Sequence, residues 1–471
     1  MSTADQRETP AVPEENPHLE RSLSNRHLQL IAIGGAIGTG LFMGSGKTIS
    51  LAGPSILLVY AIIGFMLFFV MRALGEVLLS NLEYRSFADF AGDYLGPWAQ
   101  FFTGWTYWLC WIVTGIADVV AVSGYVAFWY PELALWIPAL GLVVVLLALN
   151  LPSVRNFGEI EFWFALIKII AIVALIIAGI FMLGSGFTLP NGTQASVSHL
   201  WNYGGFFPNG FFGFVAGFQI AVFAFVGIEL VGTAAAETVN PKVNLPRAVN
   251  SIPIRIVIFY VGALFVIITV IPWNQVDPGS SPFVAMFALS GLGIAAHVVN
   301  FVVLTSATSS ANSGIYSTSR MVFGLATSGF APKAFEKLSK RHVPVNALFF
   351  SCIFLLAGVV LLYAEDSIIQ AFTMVTTVSA LLFIFVWSII LISYIQYRRK
   401  RPDLHAQSNF KVPGGRASAV MVLAFFAFVL WALAQEADTA KALLVTPLWF
   451  VLLAVAYVFM RRKEAKAITG A

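Results

Sequence analysis

Gly34-Gly35-Ala36-Ile37-Gly38-Thr39-Gly40-Leu41-Phe42 lies inside an apolar segment of membrane-spanning length, yet five of its nine residues are glycine or threonine. Both are poor helix formers, and glycine lets the backbone come close to a ligand. The stretch therefore predicts a broken helix. In a bilayer core each unpaired N–H or C=O costs several kcal/mol, so non-helical backbone at that depth lines a cavity or holds a ligand. The half-helix after the break begins with free N–H groups and a partial positive charge, which suits a carboxylate. The half before it ends in free carbonyls, which suit an ammonium. An amino-acid zwitterion satisfies both ends. Taken alone, the glycines fit a second reading equally well, a smooth face for close helix packing.

The rest of the chain supplies the membrane. Of its 471 residues 59% are hydrophobic and only 11% charged, the composition of a polytopic all-α integral membrane protein rather than of soluble domains. Apolar segments of spanning length run at about 28–49, 54–80, 98–128, 136–151, 161–184, 211–235, 253–272, 293–325, 345–363, 367–397, 417–436 and 441–460, so twelve transmembrane helices are expected. The fourth is short for a crossing, and 282–291 reads as an additional interfacial helix. Residues 1–25 are polar, with Pro10, Pro13 and Pro17, and lack the apolar core of a signal peptide. Cys110 and Cys352 both fall in apolar spans, so neither a disulfide framework nor a cysteine metal site is expected.

Charge placement sets the expected orientation. With both termini cytoplasmic, the 27 basic residues less Lys47, Lys168 and Lys441 leave 24 in or beside inside segments, whereas the loops 185–210 and 273–286 contain no Lys or Arg. That is the positive-inside pattern of a multi-pass protein of the cell inner (plasma) membrane. The net charge of +4 follows from it, and no nucleic-acid partner is expected. Asn191-Gly192-Thr193 matches a glycosylation sequon but reads as a turn.

A second interruption decides between the two readings of the first. Phe223-Ala224-Phe225-Val226-Gly227-Ile228-Glu229-Leu230 puts a glycine and a carboxylate in the middle of the sixth span. The first and sixth spans run in opposite directions, and breaks at corresponding positions mark transporters built from two inverted five-helix repeats. The expected organisation is a tail over 1–25, repeats over 26–200 and 201–400, two further spans over 401–460 and a cytoplasmic tail over 461–471. Lys168, about two turns into the fifth span, is a functional candidate by default. Its other reading is a side chain that snorkels to the cytoplasmic interface, where Glu159 and Glu161 are expected. A buried Lys168 would stand where sodium-coupled transporters hold a metal ion, and its loss of a proton would couple transport to protons. Glu229 is the other interior titratable candidate, while Asp118 and Glu76 carry less weight. Arg72 and Glu76, at i and i+4, read as a structural ion pair. Thr305, Ser309, Asn312 and Tyr316 form a polar stripe on the eighth span, which either lines the pathway or is satisfied within its own helix.

Gly34 to Phe42, the run from Ala52-Gly53-Pro54 to Leu74-Gly75-Glu76, Phe225 to Glu229, and Asn312-Ser313-Gly314-Ile315-Tyr316 resemble the amino acid–polyamine–organocation superfamily. Within it, the chain resembles the bacterial amino acid transporter family over residues 20–465. Asn25 to Leu51, Gly217 to Gly232 and Ser251 to Arg255 are similar to the branch that carries D-serine, D-alanine and glycine. The resemblance implies a LeuT-like fold with helices 1 and 6 broken, alternating access and proton symport. It further implies that the Gly38-Thr39-Gly40 backbone and the Thr39 hydroxyl take the substrate carboxylate. Carbonyls near Ala36, Ile37, Phe223 and Val226, beside Gly227, would take the amine, Phe223 would gate, and Lys168 would match the lysine linked to proton coupling.

The expected partners are thus a small neutral amino acid, protons and the lipid bilayer, with no cofactor and no metal. Rival functions are a permease for another neutral amino acid, a channel, and an intramembrane enzyme. An enzyme would need a nucleophile–base or metal constellation, and the sequence has neither His-Glu-x-x-His nor Gly-x-Ser-x-Gly. Gly44-Ser45-Gly46-Lys47-Thr48 imitates a phosphate loop but has Leu41 where that motif requires glycine.

Overall fold

The computed structural model describes residues 29–30, 37–152, 154–234, 238–364 and 367–469. These are helical almost throughout, with an isolated bridge between Thr188 and Gln194. Ten helical stretches among the described residues are long and apolar enough to cross a membrane. The first joins Gly44–Ala52 to Ile56–Ser80 through a tight turn at Gly53, whose φ of 58° suits glycine. Trp136–Asn150 is apolar but shorter.

Local chemistry explains where the elements start and stop. Ser86 and Asp89 form a capping box on Phe87–Leu95, and Gly96, at φ 105°, ends that helix. Ser367 caps Ile368–Lys400, whose last turn carries Arg398, Arg399 and Lys400 against the negative end of the helix dipole. Pro282–Leu289 is helical, as expected for 282–291, and opens on a proline. Asn191 to Thr193 form a turn, with the Thr193 N–H donating to Asn191 Oδ1 at 3.0 Å.

Pro97–Ala127, Gly293–Thr327 and Ile368–Lys400 match the expected spans to within a few residues. Two helices are longer than hydropathy predicts. Val154–Gly184 starts seven residues before position 161, so Glu159 and Glu161 lie within the helix rather than at its mouth. Ala437–Thr469 continues nine residues past 460, beyond the apolar stretch that hydropathy registers.

The helices Pro97–Ala127 and Gly293–Thr327 pack along each other, with Ile368–Lys400 against the first. Small residues make the approach close: a Cβ on Gly314 would fall 2.5 Å from the Trp111 ring. The central helices are the most enclosed, 78% of the apolar window being buried in Pro97–Ala127 and in Gly210–Thr233 against 11% in Thr439–Arg462. The last helix is therefore peripheral, and the broken segments lie in the core.

Candidate functional site

Both interruptions exist as backbone features. Gly38 is extended (φ −126°, ψ −162°) before a helical turn over Thr39–Phe42. The first N–H groups to pair are those of Leu41 and Phe42, both to the Gly38 carbonyl at 3.2 Å. In the other segment Phe223–Phe225 tightens into a 3₁₀ turn, Val226 swings to ψ 136°, Gly227 takes φ 102°, and the α-helix resumes at Leu230. Gly227 is there because an L side chain rarely adopts that φ.

The two breaks touch. A Cβ on Gly40 would lie 2.6 Å from the Ala224 Cα and 2.9 Å from the Phe223 carbonyl carbon, so the backbones meet with no room for a side chain. Gly34, Gly35 and Ala36 lie outside the described residues.

Neighbouring helices hold the first break. Ser306 donates to the Ile37 carbonyl at 3.0 Å. Thr39 donates its hydroxyl to Asp118 Oδ1 at 2.8 Å, which joins the break to Pro97–Ala127. The Thr39 hydroxyl, expected to face the substrate carboxylate, therefore already has a carboxylate partner, and its backbone N–H remains for an anion. Asp118, given little weight in the sequence, is fully buried at the centre of the site.

The second break is braced both by its own segment and by neighbouring helices. Gly227 N–H donates to Glu229 Oε2 at 3.2 Å, and the Tyr107 hydroxyl donates to Glu229 Oε1 at 3.4 Å. Tyr260 donates to the Ala224 carbonyl at 3.0 Å and stacks on Phe225, ring centroids 4.9 Å apart. Tyr260 comes from a π-helical stretch, Ile256–Gly262, a type of bulge frequent at functional sites. Phe223 is buried edge-on to Phe372, and its carbonyl accepts the Val226 N–H at 3.1 Å.

Lys168 is fully buried, which removes the snorkelling reading, and the charges acting on it are Glu161 and Asp118. Glu161 is the residue that sequence reasoning misplaced: it is buried and accepts a 2.5 Å hydrogen bond from Ser309. Its spacing of seven from Lys168 puts both on one helical face, a signal the sequence did contain. The polar stripe is satisfied partly within its own helix and partly by neighbouring helices. Thr305 donates to its own helix at Val302, whereas Ser309 reaches Glu161 and Asn312 accepts from Asn150 at 2.7 Å. Tyr316 stacks on Phe157 at 3.7 Å.

The expected Arg72–Glu76 pair is a correction. Glu76 is taken by His405 at 2.5 Å and by the Val412 N–H at 2.7 Å. Arg72 instead donates to Asn250 Oδ1 and the Lys411 carbonyl and covers the Phe410 ring. The loop that follows Ile368–Lys400 supplies partners for both residues, outcompeting a pair on one helix.

Two cavities flank the broken segments at opposite ends of Gly293–Thr327. One, about 390 Å³, runs from Met43 past Tyr125, Asp277, Ser281 and Asn300. The other, about 20 Å³, lies among Arg85, Asp89, Gln100, Thr233, Ser317 and Arg320. Burial pushes the Asp89 carboxyl above its ordinary pKa, opposed by Arg85 and by the N–H groups of Arg85 and Ser86. A larger cavity thus lies toward one end of Gly293–Thr327 and a small one toward the other.

Sequence comparison bears on what this arrangement does. The amino acid permease family profile matches residues 27–468. The chain is 65% identical over 447 residues, 95% of each sequence, to the D-serine/D-alanine/glycine transporter of Escherichia coli (strain K12). It is 53% identical over 448 residues to the amino-acid permease AapA of Bacillus subtilis, covering 95% of this chain and 96% of that one. Identity is 43% over 450 residues to the aromatic amino acid transport protein AroP of Escherichia coli O6:H1, covering 96% of this chain and 97% of that one.

Proposed function

Since the chain belongs to the amino acid permease family, we propose that it is a secondary active importer of D-serine, D-alanine and glycine, driven by proton symport through alternating access. The observation that carries this reading is the contact between the two breaks, Gly40 against Ala224 and Phe223. It supports a site for a small zwitterion at the point where two interrupted helices offer opposite partial charges. The carboxylate is bound by the Gly38-Thr39-Gly40 backbone, and the ammonium by carbonyls at Ala36, Ile37, Phe223 and Val226, next to Gly227. Phe223 closes the site against Phe372.

In this reading twelve crossings form two inverted repeats, 26–200 and 201–400, followed by two further helices, with both termini cytoplasmic. Lys168 carries the coupled proton. It is enclosed with Glu161 and Asp118, and Asp118 bonds to Thr39 inside the first break, so a change of charge at Lys168 is felt where the substrate binds. Both Glu229 oxygens accept bonds from Tyr107 and Gly227, which supports a bracing role for that carboxylate and leaves the proton to Lys168. The vestibule of about 390 Å³ is the approach, and the constriction at Arg85 and Arg320 is the closed exit.

The test is uptake of labelled glycine into proteoliposomes with an imposed inward proton gradient, competed by D-serine, D-alanine, their L-forms and phenylalanine. Concentrative uptake that collapses with the gradient, competed by D-serine and D-alanine and not by phenylalanine, is expected. Conductance without accumulation would make the protein a channel. Competition by phenylalanine alone would overturn the substrate assignment.

A further inference from the structure

A groove of about 920 Å³ runs along the outside of the bundle between Pro97–Ala127, Val345–Leu355 and Ala437–Thr469. Its wall is aromatic, with Phe101, Trp105, Phe330, Phe350, Trp449 and Phe459 among its lining residues. The indole N–H groups are already used inward: Trp105 donates to the Phe330 carbonyl at 3.1 Å and Trp449 to Thr106 Oγ1 at 3.1 Å. What remains toward the groove is apolar, and Phe459 is 66% exposed. The volume lies near the top of the range of about 300–1,000 Å³ usual for small-molecule sites.

At one end of the groove the sequence turns basic. Phe101 stands against Phe330 (6.1 Å between centroids) and Tyr457 (5.4 Å), so the 329–332 segment and the end of the last helix converge there. Both segments become basic just beyond that point. Pro332 lines the groove and Lys333 follows it; Met460 lines it and Arg461 and Arg462 follow. Lys333, Arg461 and Arg462 are exposed. Over 333–337 and 461–462 the chain has four cations, Lys337 being the fourth, and one carboxylate, Glu336.

We infer that this groove is a site for an anionic membrane phospholipid, with an acyl chain along the aromatic wall and the phosphate at the Lys333, Arg461 and Arg462 end. An apolar slot inside the bilayer that ends in a cluster of cations matches both halves of such a molecule. A zwitterionic phospholipid satisfies the slot but gains less from the cations. A second copy of this chain is a poorer occupant, because two-fold pairing through the same groove brings like-charged ends together. The inference rests on the membrane-spanning fold and is independent of the transported substrate.

Delipidated full-length protein in detergent is titrated with dioleoylphosphatidylglycerol or dioleoylphosphatidylcholine, reading the melting temperature and the lipid retained in native mass spectra. Phosphatidylglycerol is expected to stabilise the protein and to be retained preferentially. That preference should fall by roughly fivefold per cation removed in Lys333→Gln, Arg461→Gln and Arg462→Gln. Ala456→Phe, which fills the groove, should weaken retention of both lipids while glycine uptake persists. Equal retention of the two lipids, or a preference unchanged in the triple variant, overturns the proposal. So does efficient disulfide dimerisation of a Leu452→Cys protein in phosphatidylglycerol membranes, which would make the groove an interface between copies.

Discussion

The two helix breaks differ in what holds them open. The first has no positive-φ residue among those described and is held from outside, by Ser306 on Ile37 and Asp118 on Thr39. The second depends on one strained position, Gly227, and on Glu229 two residues away, with Tyr107 and Tyr260 as further supports. A break held only by its neighbours responds to their movement, whereas one that also carries an internal brace, as Glu229 gives Gly227, keeps its shape better. The first segment is therefore suited to move with the helices around Asp118 and Lys168, and the second to serve as the fixed wall.

The largest effect should come where the two walls meet. Gly40→Ala places a Cβ 2.6 Å from the Ala224 backbone, so uptake should vanish while the protein still inserts and stays helical by circular dichroism. Normal uptake would mean that the breaks do not touch. Next, Lys168→Ala should lose accumulation driven by a proton gradient while retaining exchange of labelled for unlabelled glycine. Lys168→Arg should not rescue it, because arginine stays protonated. Full accumulation by the alanine variant would move the proton to Glu229.

The remaining tests separate rigid from responsive backbone. Gly227→Ala forces a side chain into φ 102° and should destabilise the protein by about 1–3 kcal/mol, read as a lower melting temperature. Gly38→Ala, at an extended φ and 3.3 Å from a movable Ser310 hydroxyl, should cost less. Equal losses would erase the distinction. Thr39→Val leaves an oxygen of Asp118 without its donor and should lower the melting temperature, since an unpaired buried acceptor costs about 1–3 kcal/mol. Smallest of all, Tyr260→Phe removes the bond to the Ala224 carbonyl, worth about 0.6 kcal/mol within a membrane. Its uptake should stay near that of the parent.

Both breaks were legible because glycine clusters and a mid-span carboxylate are local signals, and the limits of Pro97–Ala127, Gly293–Thr327 and Ile368–Lys400 because hydropathy is. What escaped the sequence depends on distant pairing or on polar helix ends. Glu161 seemed interfacial only because Val154–Gly184 begins earlier than its apolar stretch. Glu76 lost its expected partner to His405 and Val412, more than 300 positions away, and no i, i+4 rule anticipates a returning loop. The π-helical turn that delivers Tyr260 to Ala224 sits in an uninterrupted apolar run, where periodicity does not register one extra residue per turn.

The meeting of Gly40 with Ala224 also has a consequence for how such a protein can diverge. Where peptide groups form the wall, a codon change at position 40 has no intermediate outcome, because every residue larger than glycine meets main-chain atoms that cannot rotate aside. Position 223 is different, since its aromatic ring packs edge-on to Phe372 and a smaller or larger ring changes volume by degrees. Random mutagenesis of the region therefore tests the proposed site: it should yield a silent or dead phenotype at position 40 and a graded range of substrate sizes at position 223.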